Sequence, residues 1–297
     1  MTKVAWLPFS LDAAPEGLEV VAGSLDGPDP ADLERITFYV MPYRVMRDDV
    51  AVLKAMPKLE VVQLLTAGYE HLLGDVPAGV TLCNGRGIHS ASTAELAVTL
   101  ILASLRDIPG FVRAQDEHAW TQGFRPALAD KTVLILGYGS IGEALEQRLL
   151  PFEVDVVRVA RTERDGVHAF GDLPSLLPGA DVVVVTAPLT EVTRRLVGAD
   201  VLARMKDGAL LVNVARGGIV DTDALLAELT SERLHAALDV VDPEPLPAGH
   251  PLWGAPNLLL TPHVGGPSSA FWPRAKRLVT AQLERYVRDE PLDNVVR

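Results

Sequence analysis

Val133-Leu-Ile-Leu-Gly-Tyr-Gly-Ser-Ile-Gly142 is an apolar run that stops abruptly at Gly137 and is punctuated by Gly139 and Gly142. It reads as a buried strand, a tight turn and the start of a helix, Ser140 to Leu149. Gly137 supplies backbone torsions that a side chain forbids, Gly139 leaves room for a diphosphate to approach the backbone, and Gly142 lets the helix lie close on the strand. The N-terminal amides of that helix would face the anion and offset its charge. A lone G-x-G-x-x-G is a weak signal, but here it follows Lys131-Thr-Val-Leu-Ile-Leu136 and opens a helical pattern, the context the motif requires. The expectation is a dinucleotide site, with Gly137, Tyr138, Gly139, Ser140 and Ile141 against the ligand.

A chain of 297 residues fits two domains. With 48% hydrophobic and 22% charged residues it has ample material for globular cores. A formal charge of -12 argues against nucleic acid or an anionic membrane as the partner, since both need a basic surface. An anionic ligand must therefore be held by a few local Arg residues and backbone amides. Met1 to Glu19 lacks a basic segment followed by an apolar one, and no run reaches ~18 apolar residues, so neither secretion nor membrane spanning is expected. The single cysteine, Cys83, excludes an internal disulfide and fits a reducing cytoplasm. In the strand-like Val80-Thr-Leu-Cys83 it reads as a buried, inert thiol. No metal site is expected.

Upstream of the glycines the chain alternates short strands and helices. Val4 to Leu7, Leu18 to Ala22, Ile36 to Met41, Leu59 to Leu65 and Val80 to Cys83 are strand-length apolar runs, and Asp48 to Met56 is an amphipathic helix between two of them. That alternation predicts an open, mostly parallel sheet with helices on its faces. Thr66-Ala67-Gly68-Tyr69 and Asn84-Gly85-Arg86-Gly87 leave strand ends, where ligands of such sheets collect, although each also reads as an ordinary turn. Ser90 to Leu105 is the strongest helix, with Ser92 as its cap and Glu95 completing a capping box, and it is expected to cross between domains. A second helix, Phe111 to Trp120, and a polar connector lead back to the glycine-rich strand.

Downstream, Val154 to Val159, Asp181 to Thr186, Ala209 to Asn213, His235 to Val240 and Asn257 to Thr261 read as further strands, with helical segments such as Thr222 to Leu229 between them. Strands so uniformly apolar must be covered on both faces, as in a doubly wound sheet. The final helical segment, Ser268 to Val287, carries Leu278, Leu283 and Val287 along one side. It is expected to return to the first domain, making that domain discontinuous: 1–98 with 268–297, around a dinucleotide-binding 99–267.

An NAD site calls for an acidic residue ~20 positions after the glycines, to accept hydrogen bonds from the ribose diol. That place is held by Ala160, eighteen residues past Gly142, followed by Arg161 and Thr162. With no carboxylate to repel a phosphate and a guanidinium and hydroxyl to bind one, NADP(H) is expected over NAD(H). The alternatives are a merely solvated Arg161, and Glu163 or Asp165 folding back in the acid's place.

Reduction at a nicotinamide needs a group that orients a substrate carbonyl and a proton donor. Arg216, in Val214-Ala-Arg-Gly-Gly-Ile-Val-Asp221, presents a fork of donors that suits a carboxylate beside a carbonyl. His263, after Thr261-Pro262 and before Val264-Gly265-Gly266, is a proton shuttle at neutral pH. Glu244, between prolines in Val241-Asp-Pro-Glu-Pro-Leu246, would orient the ring and stabilise its protonated form. Singly, a strand-end Arg is as often a surface ion pair, a lone His is more often structural than catalytic, and a Glu between prolines is commonly a solvated loop acid. Their joint placement at the ends of successive strands makes coincidence improbable.

In order, Gly-Tyr-Gly-Ser-Ile-Gly142, Thr186-Ala-Pro-Leu-Thr190, Asn213-Val-Ala-Arg-Gly-Gly218, Leu238-Asp-Val-Val-Asp-Pro-Glu-Pro245 and Thr261-Pro-His-Val-Gly-Gly266 resemble the D-isomer specific 2-hydroxyacid dehydrogenase family over essentially the whole chain. The resemblance implies an α/β protein of two doubly wound parallel-sheet domains, a Rossmann cofactor domain inserted into a flavodoxin-like substrate domain, with the active site in the cleft between them and usually a homodimer. It implies hydride transfer between nicotinamide and C2 of a small 2-oxo or 2-hydroxy acid, with Arg216 as substrate anchor and His263 with Glu244 as the acid-base pair. Asp239 would contact the nicotinamide carboxamide, Ala187, Pro188 and Val214 to Arg216 the cofactor, with His263, Gly265 and Gly266 beside it. Amides near Ala67 and Gly68 would receive the substrate carboxylate, and Tyr69 and Arg86, with Phe271 and Trp272, are candidates for the pocket wall.

Two departures narrow the reading. Ala160 stands where NAD-dependent members carry Asp, as in the glyoxylate and hydroxypyruvate reductases that prefer NADP. Glu244 stands where formate dehydrogenases have Gln, which disfavours formate oxidation. The rival from another class is a dinucleotide-sensing interaction protein like the family's corepressors, since fold alone does not settle function. A nearer rival is an enzyme for another small acid, such as phosphite.

Overall fold

The computed structural model describes residues 2–43, 47–69 and 72–297, with the side chains of 47–49 also outside the description. The chain divides into two compact units, Met1–His89 with Ser269–Arg297, and Ser90–Ser268.

In the first unit, β1 (Lys3–Leu7), β2 (Leu18–Ala22), β3 (Phe38–Val40), β4 (Val61–Gln63) and β5 (Thr81–Cys83) form a parallel sheet in the order β2-β1-β3-β4-β5. Helix α1 (Arg47–Val52) and the 3-10 turn Leu53–Ala55 occupy the predicted helical stretch. The strands bury both faces: Ala5, Leu7, Phe38 and Val40 point into one cluster, Trp6 and Tyr39 into another. Alternation in a two-residue period explains why these runs are apolar throughout.

In the second unit, α2 (Ser90–Leu105) and α3 (Ile108–Asp116) precede β6 (Thr132–Leu136), α4 (Ser140–Leu149), β7 (Asp155–Ala160) and β8 (His168–Ala169). There follow α5 (Leu173–Leu176), β9 (Val182–Val185), α6 (Ala199–Leu202), β10 (Leu210–Asn213), α7 (Thr222–Thr230), β11 (His235–Leu238) and β12 (Leu258–Leu260). The parallel order is β12-β11-β10-β9-β6-β7-β8. Strand order reverses between β6 and β9, so the loops leaving these two strands open a crevice at the switch point, where doubly wound sheets bind ligands. Val133, Ile135, Val182 and Val184 feed one core, and Leu134, Leu136, Val183 and Val185 the other.

Three expectations shift. The division falls at His89/Ser90 rather than 98/99, because α2 does not cross between domains: Ala94, Ala97, Leu100 and Ile101 all pack with Val133, Ile135 and Leu145. Ser92 is the third residue of that helix, not its cap, and its hydroxyl donates to the Gly266 carbonyl (3.2 Å). The helix expected over Phe111 to Trp120 starts earlier, with Pro109 in its first turn, and ends before His118, whose φ is +55°. The last helix, α8 (Phe271–Val287), belongs to the first unit and buries Phe271, Ala275, Val279, Gln282, Leu283 and Tyr286, whereas Leu278 and Val287 are only partly covered. Cys83 is fully buried and burial pushes its thiol up to about 11, so it is inert at neutral pH. Among the described residues no helix is long and apolar enough to cross a membrane.

Candidate active site

The glycine turn has the backbone its sequence requires. Gly137 has φ +112°, and a Cβ there would lie 2.2 Å from the Ala187 nitrogen. At Gly139 a Cβ would meet nothing within 4 Å, so the turn is open on the side where a diphosphate approaches. At Gly142 a Cβ would sit 3.1 Å from the Gly137 carbonyl and from Ile135, the tight seat of α4 on β6. The turn is pinned on both sides: Gly137 N and Tyr138 N donate to the Val159 carbonyl at the end of β7 (2.8 and 2.9 Å), and the Thr186 hydroxyl donates to the Gly137 carbonyl (2.9 Å). An open turn facing the first amides of α4, Ser140 and Ile141, fits a dinucleotide diphosphate. Beside it, Ala187 is buried and Pro188 exposed.

Ala160 ends β7, and Arg161 and Thr162, which follow it, are exposed. Glu163 and Asp165 are exposed too, and among the described residues neither is hydrogen-bonded near the turn.

Arg216 follows β10 in extended conformation and half-buried, its guanidinium donating to the Ala215 carbonyl (2.7 Å). Asn213 shapes this loop from beneath, accepting from Ala215 N and donating to the Arg216 carbonyl, both at 3.0 Å. Val214 and Ala215 are buried. Gly217 is forced by packing: a Cβ there would lie 1.9 Å from the Val241 carbonyl oxygen.

His263 and Glu244 meet. Nδ1 of the imidazole is 2.5 Å from Glu244 Oε1, with the two side chains 45% and 39% exposed. A carboxylate at Nδ1 favours the proton on that nitrogen in the neutral ring and leaves Nε2 for another partner. His263 has φ +54°, and its loop is built around Asp239, which is 2% exposed. One Asp239 oxygen accepts from the Thr261 hydroxyl (2.6 Å) and Val264 N (2.9 Å), the other from Gly265 N (2.9 Å), while the Asp239 carbonyl accepts from His263 N (2.8 Å). Thr93 Oγ1 donates to the Gly265 carbonyl (3.2 Å) and Ser92 to that of Gly266, tying the same loop to α2. Sequence reasoning assigned Asp239 a ligand contact and missed this architectural role, because the donors are 22 to 26 residues away.

Ala67, Gly68, Tyr69 and Arg86 belong to the first unit. The loop after β4 is held from behind: Asn84 Nδ2 donates to the Ala67 carbonyl and the Thr66 hydroxyl to the Gly68 carbonyl, each at 2.9 Å. Tyr69 packs against the core and Arg86 is exposed. Phe271 is a core residue, stacked on His89 and tilted against Tyr43, and Trp272 is 40% exposed at its edge.

Residues 98–265 match the family model described as the D-isomer specific 2-hydroxyacid dehydrogenase, NAD binding domain. The chain is 34% identical over 259 residues to a glyoxylate reductase of Thermofilum pendens, covering 82% of this chain and 76% of that one. It is 32% identical over 254 residues to the human glyoxylate reductase/hydroxypyruvate reductase, covering 80% and 77%. A D-isomer specific 2-hydroxyacid dehydrogenase of Xanthobacter autotrophicus Py2, solved in complex with NADPH and MES, superposes with a TM-score of 0.81 at 31% identity, over 100% of this chain and 98% of that one.

Proposed function

The chain belongs to the D-isomer specific 2-hydroxyacid dehydrogenase family, and from that premise we propose that Arg216, Glu244 and His263 reduce a small 2-oxo acid, with NADP(H) as the preferred cofactor. It is an oxidoreductase with a nicotinamide-dinucleotide domain, and its relatives carry enzyme names that lend no support to an interaction-protein role.

The observation that carries the proposal is the 2.5 Å contact of His263 Nδ1 with Glu244, in the same unit as the glycine turn. A nicotinamide bound beside the glycine turn would supply hydride to C2 of the substrate. His263, protonated, donates from Nε2 to the carbonyl oxygen, and Glu244 holds the ring and balances its charge. Arg216 binds the substrate carboxylate and steadies the negative charge growing on the oxygen. In the first unit, the loop of Ala67 and Gly68, whose carbonyls accept from Asn84 and Thr66, offers backbone amides for a carboxylate. Val214, Ala215, Ala187, Pro188, Asp239, Gly265 and Gly266 complete the cofactor contacts.

The preference for NADP(H) rests on Ala160 and on the exposed Arg161 and Thr162; the Xanthobacter relative solved with NADPH supports it. Glyoxylate and hydroxypyruvate are the proposed substrates, after the relatives' names. Homodimer formation and a cytoplasmic setting belong to the same proposal, the latter supported by the single buried thiol.

The test is a panel of 2-oxo acids followed at the NADPH absorbance band with each cofactor, repeated on Arg161→Ala. Glyoxylate or hydroxypyruvate should be reduced with a lower KM for NADPH than for NADH, and Arg161→Ala should narrow that difference about tenfold. No turnover on any 2-oxo acid would sink the activity, and equal KM values throughout would remove the cofactor preference. Competition by phosphite with glyoxylate would favour the nearer rival.

A further inference from the structure

Between the end of β7 and the start of β8 the chain makes a short excursion, residues 161–167, that is anchored at both ends. Val159 and Ala160 of β7 pair in parallel with His168 and Ala169 of β8. Within the excursion, Arg164 N donates to the Val167 carbonyl (3.0 Å) and Val167 N to the Arg164 carbonyl (2.8 Å), closing a turn in which Gly166 takes φ +68°. Arg164 is therefore displayed from a closed turn, although its side chain is in solvent.

Its guanidinium is directed back toward the glycine turn. Nη2 of Arg164 donates to the Tyr138 carbonyl (2.6 Å), and its carbon lies 5.7 Å from the centroid of the Tyr138 ring. Tyr138 is itself fixed: its hydroxyl donates to the buried Glu146, which Arg158 also engages through two nitrogens, and the Arg158 guanidinium is likewise 5.7 Å from the ring centroid. The chain Arg158–Glu146–Tyr138–Arg164 thus runs from a half-buried ion pair to an exposed cation.

In a doubly wound sheet the adenosine ribose lies beside the end of the second strand, which here is Ala160, next to the turn that Tyr138 occupies. A guanidinium latched to the Tyr138 carbonyl would stand beside a ribose bound in that place. One of its five N–H donors is engaged there, and among the described residues no carboxylate pairs with Arg164.

The geometry points to Arg164 as a second cationic clamp, with Arg161, for a phosphate on the adenosine 2′-oxygen, pre-positioned by Tyr138; the inference rests on NADP(H) being the preferred cofactor. Because the turn and the Tyr138 contacts order the side chain in advance, little conformational freedom is lost when phosphate binds.

Adenosine 2′,5′-bisphosphate and 5′-AMP, titrated calorimetrically into the full chain, separate this clamp from the rest of the site. Arg164→Ala should weaken the bisphosphate by about 10-fold to 100-fold and leave 5′-AMP within about twofold, with a parallel rise in the KM for NADPH. Arg164→Lys should recover part of the loss as a point charge without the fork. If the unaltered protein binds the bisphosphate better than 5′-AMP and Arg164→Ala changes neither, the clamp is overturned while the cofactor reading stands. Equal losses for both ligands would assign Arg164 to shaping the turn and overturn the clamp as well. An unaltered protein that does not distinguish the two ligands would overturn the cofactor reading itself, and the clamp with it.

Discussion

His263 Nδ1 lies 2.5 Å from Glu244 Oε1, although one residue follows β12 and the other sits in the loop after β11. The contact spends one ring nitrogen on orientation and leaves the other for a substrate oxygen. Positioned acid-base help is worth about 10²-fold to 10⁴-fold, so His263→Ala should lower kcat by at least ~100-fold. Glu244→Gln keeps a hydrogen-bonding group but removes the charge, and should cost kcat about tenfold, less than loss of the imidazole itself. Steady-state kinetics beside a fluorescence titration of NADPH binding check both. Unchanged turnover with normal binding would remove the pair from the chemistry.

Asp239 offers a different handle on the same histidine. Its oxygens accept from the Thr261 hydroxyl and from the amides of Val264 and Gly265, and an amide nitrogen at either position could not accept from the backbone donor there. Asp239→Asn should therefore leave at least one buried donor unsatisfied, at about 1–3 kcal/mol of stability, and release the loop that holds His263 at φ +54°. We expect a lower Tm and a fall in kcat of roughly tenfold, by the sensitivity of proton transfer to geometry. Full activity with unaltered Tm would mean the clamp is not needed.

How far the sequence was legible follows from range. The strand, turn and helix around Gly137 were legible because apolar periodicity and glycine torsions act within ten residues. The paired strands were legible because sheets covered on both faces demand continuous apolar runs. β8 was not: His168–Ala169 has only two residues, no apolar signature, and exists because the chain returns to the edge of β7. The true role of Ser92 was hidden too, since Ser and Thr with a following Glu95 imitate a cap, whereas the hydroxyls of Ser92 and Thr93 serve a loop more than 170 residues on. The convergence of His263 with Glu244 could be expected only from their common position at strand ends and from the family pattern.

The Glu146–Arg158 pair gives the fold a dependence on pH. The Arg158 hydrogen bonds hold Glu146 below the usual carboxylate range, against the opposing pull of burial, with Tyr138 adding a further donor. A carboxylate depressed in the folded chain contributes stability that is fully present above its ordinary pKa of about 4.3 and is lost as pH falls through the folded value. Glu146→Gln should accordingly lower Tm at pH 7 by roughly 3–6 °C. The difference should shrink below about pH 4, where the unaltered protein protonates the same group. Thermal melts at neutral and acid pH read this directly, and a difference that is constant with pH would show that the charge plays no part.

Gly217 tests how tightly the substrate anchor is placed. A Cβ on it would fall 1.9 Å from the Val241 carbonyl oxygen and 2.0 Å from its carbon, so the obstruction is backbone rather than a side chain that can swing away. The contact joins the loop that carries Arg216 to the loop that leads from Val241 to Glu244, so relief must displace one of the two. Gly217→Ala should cost about 1–3 kcal/mol as an overpacked contact. It should also raise the KM for the 2-oxo acid more than tenfold, because a misplacement of about 1 Å at a positioning group is worth ~10²-fold. NADPH binding should fall much less, since the glycine turn after β6 is untouched. A variant with native KM and native Tm would mean that this backbone yields without moving Arg216, and the anchor would then have to be sought elsewhere.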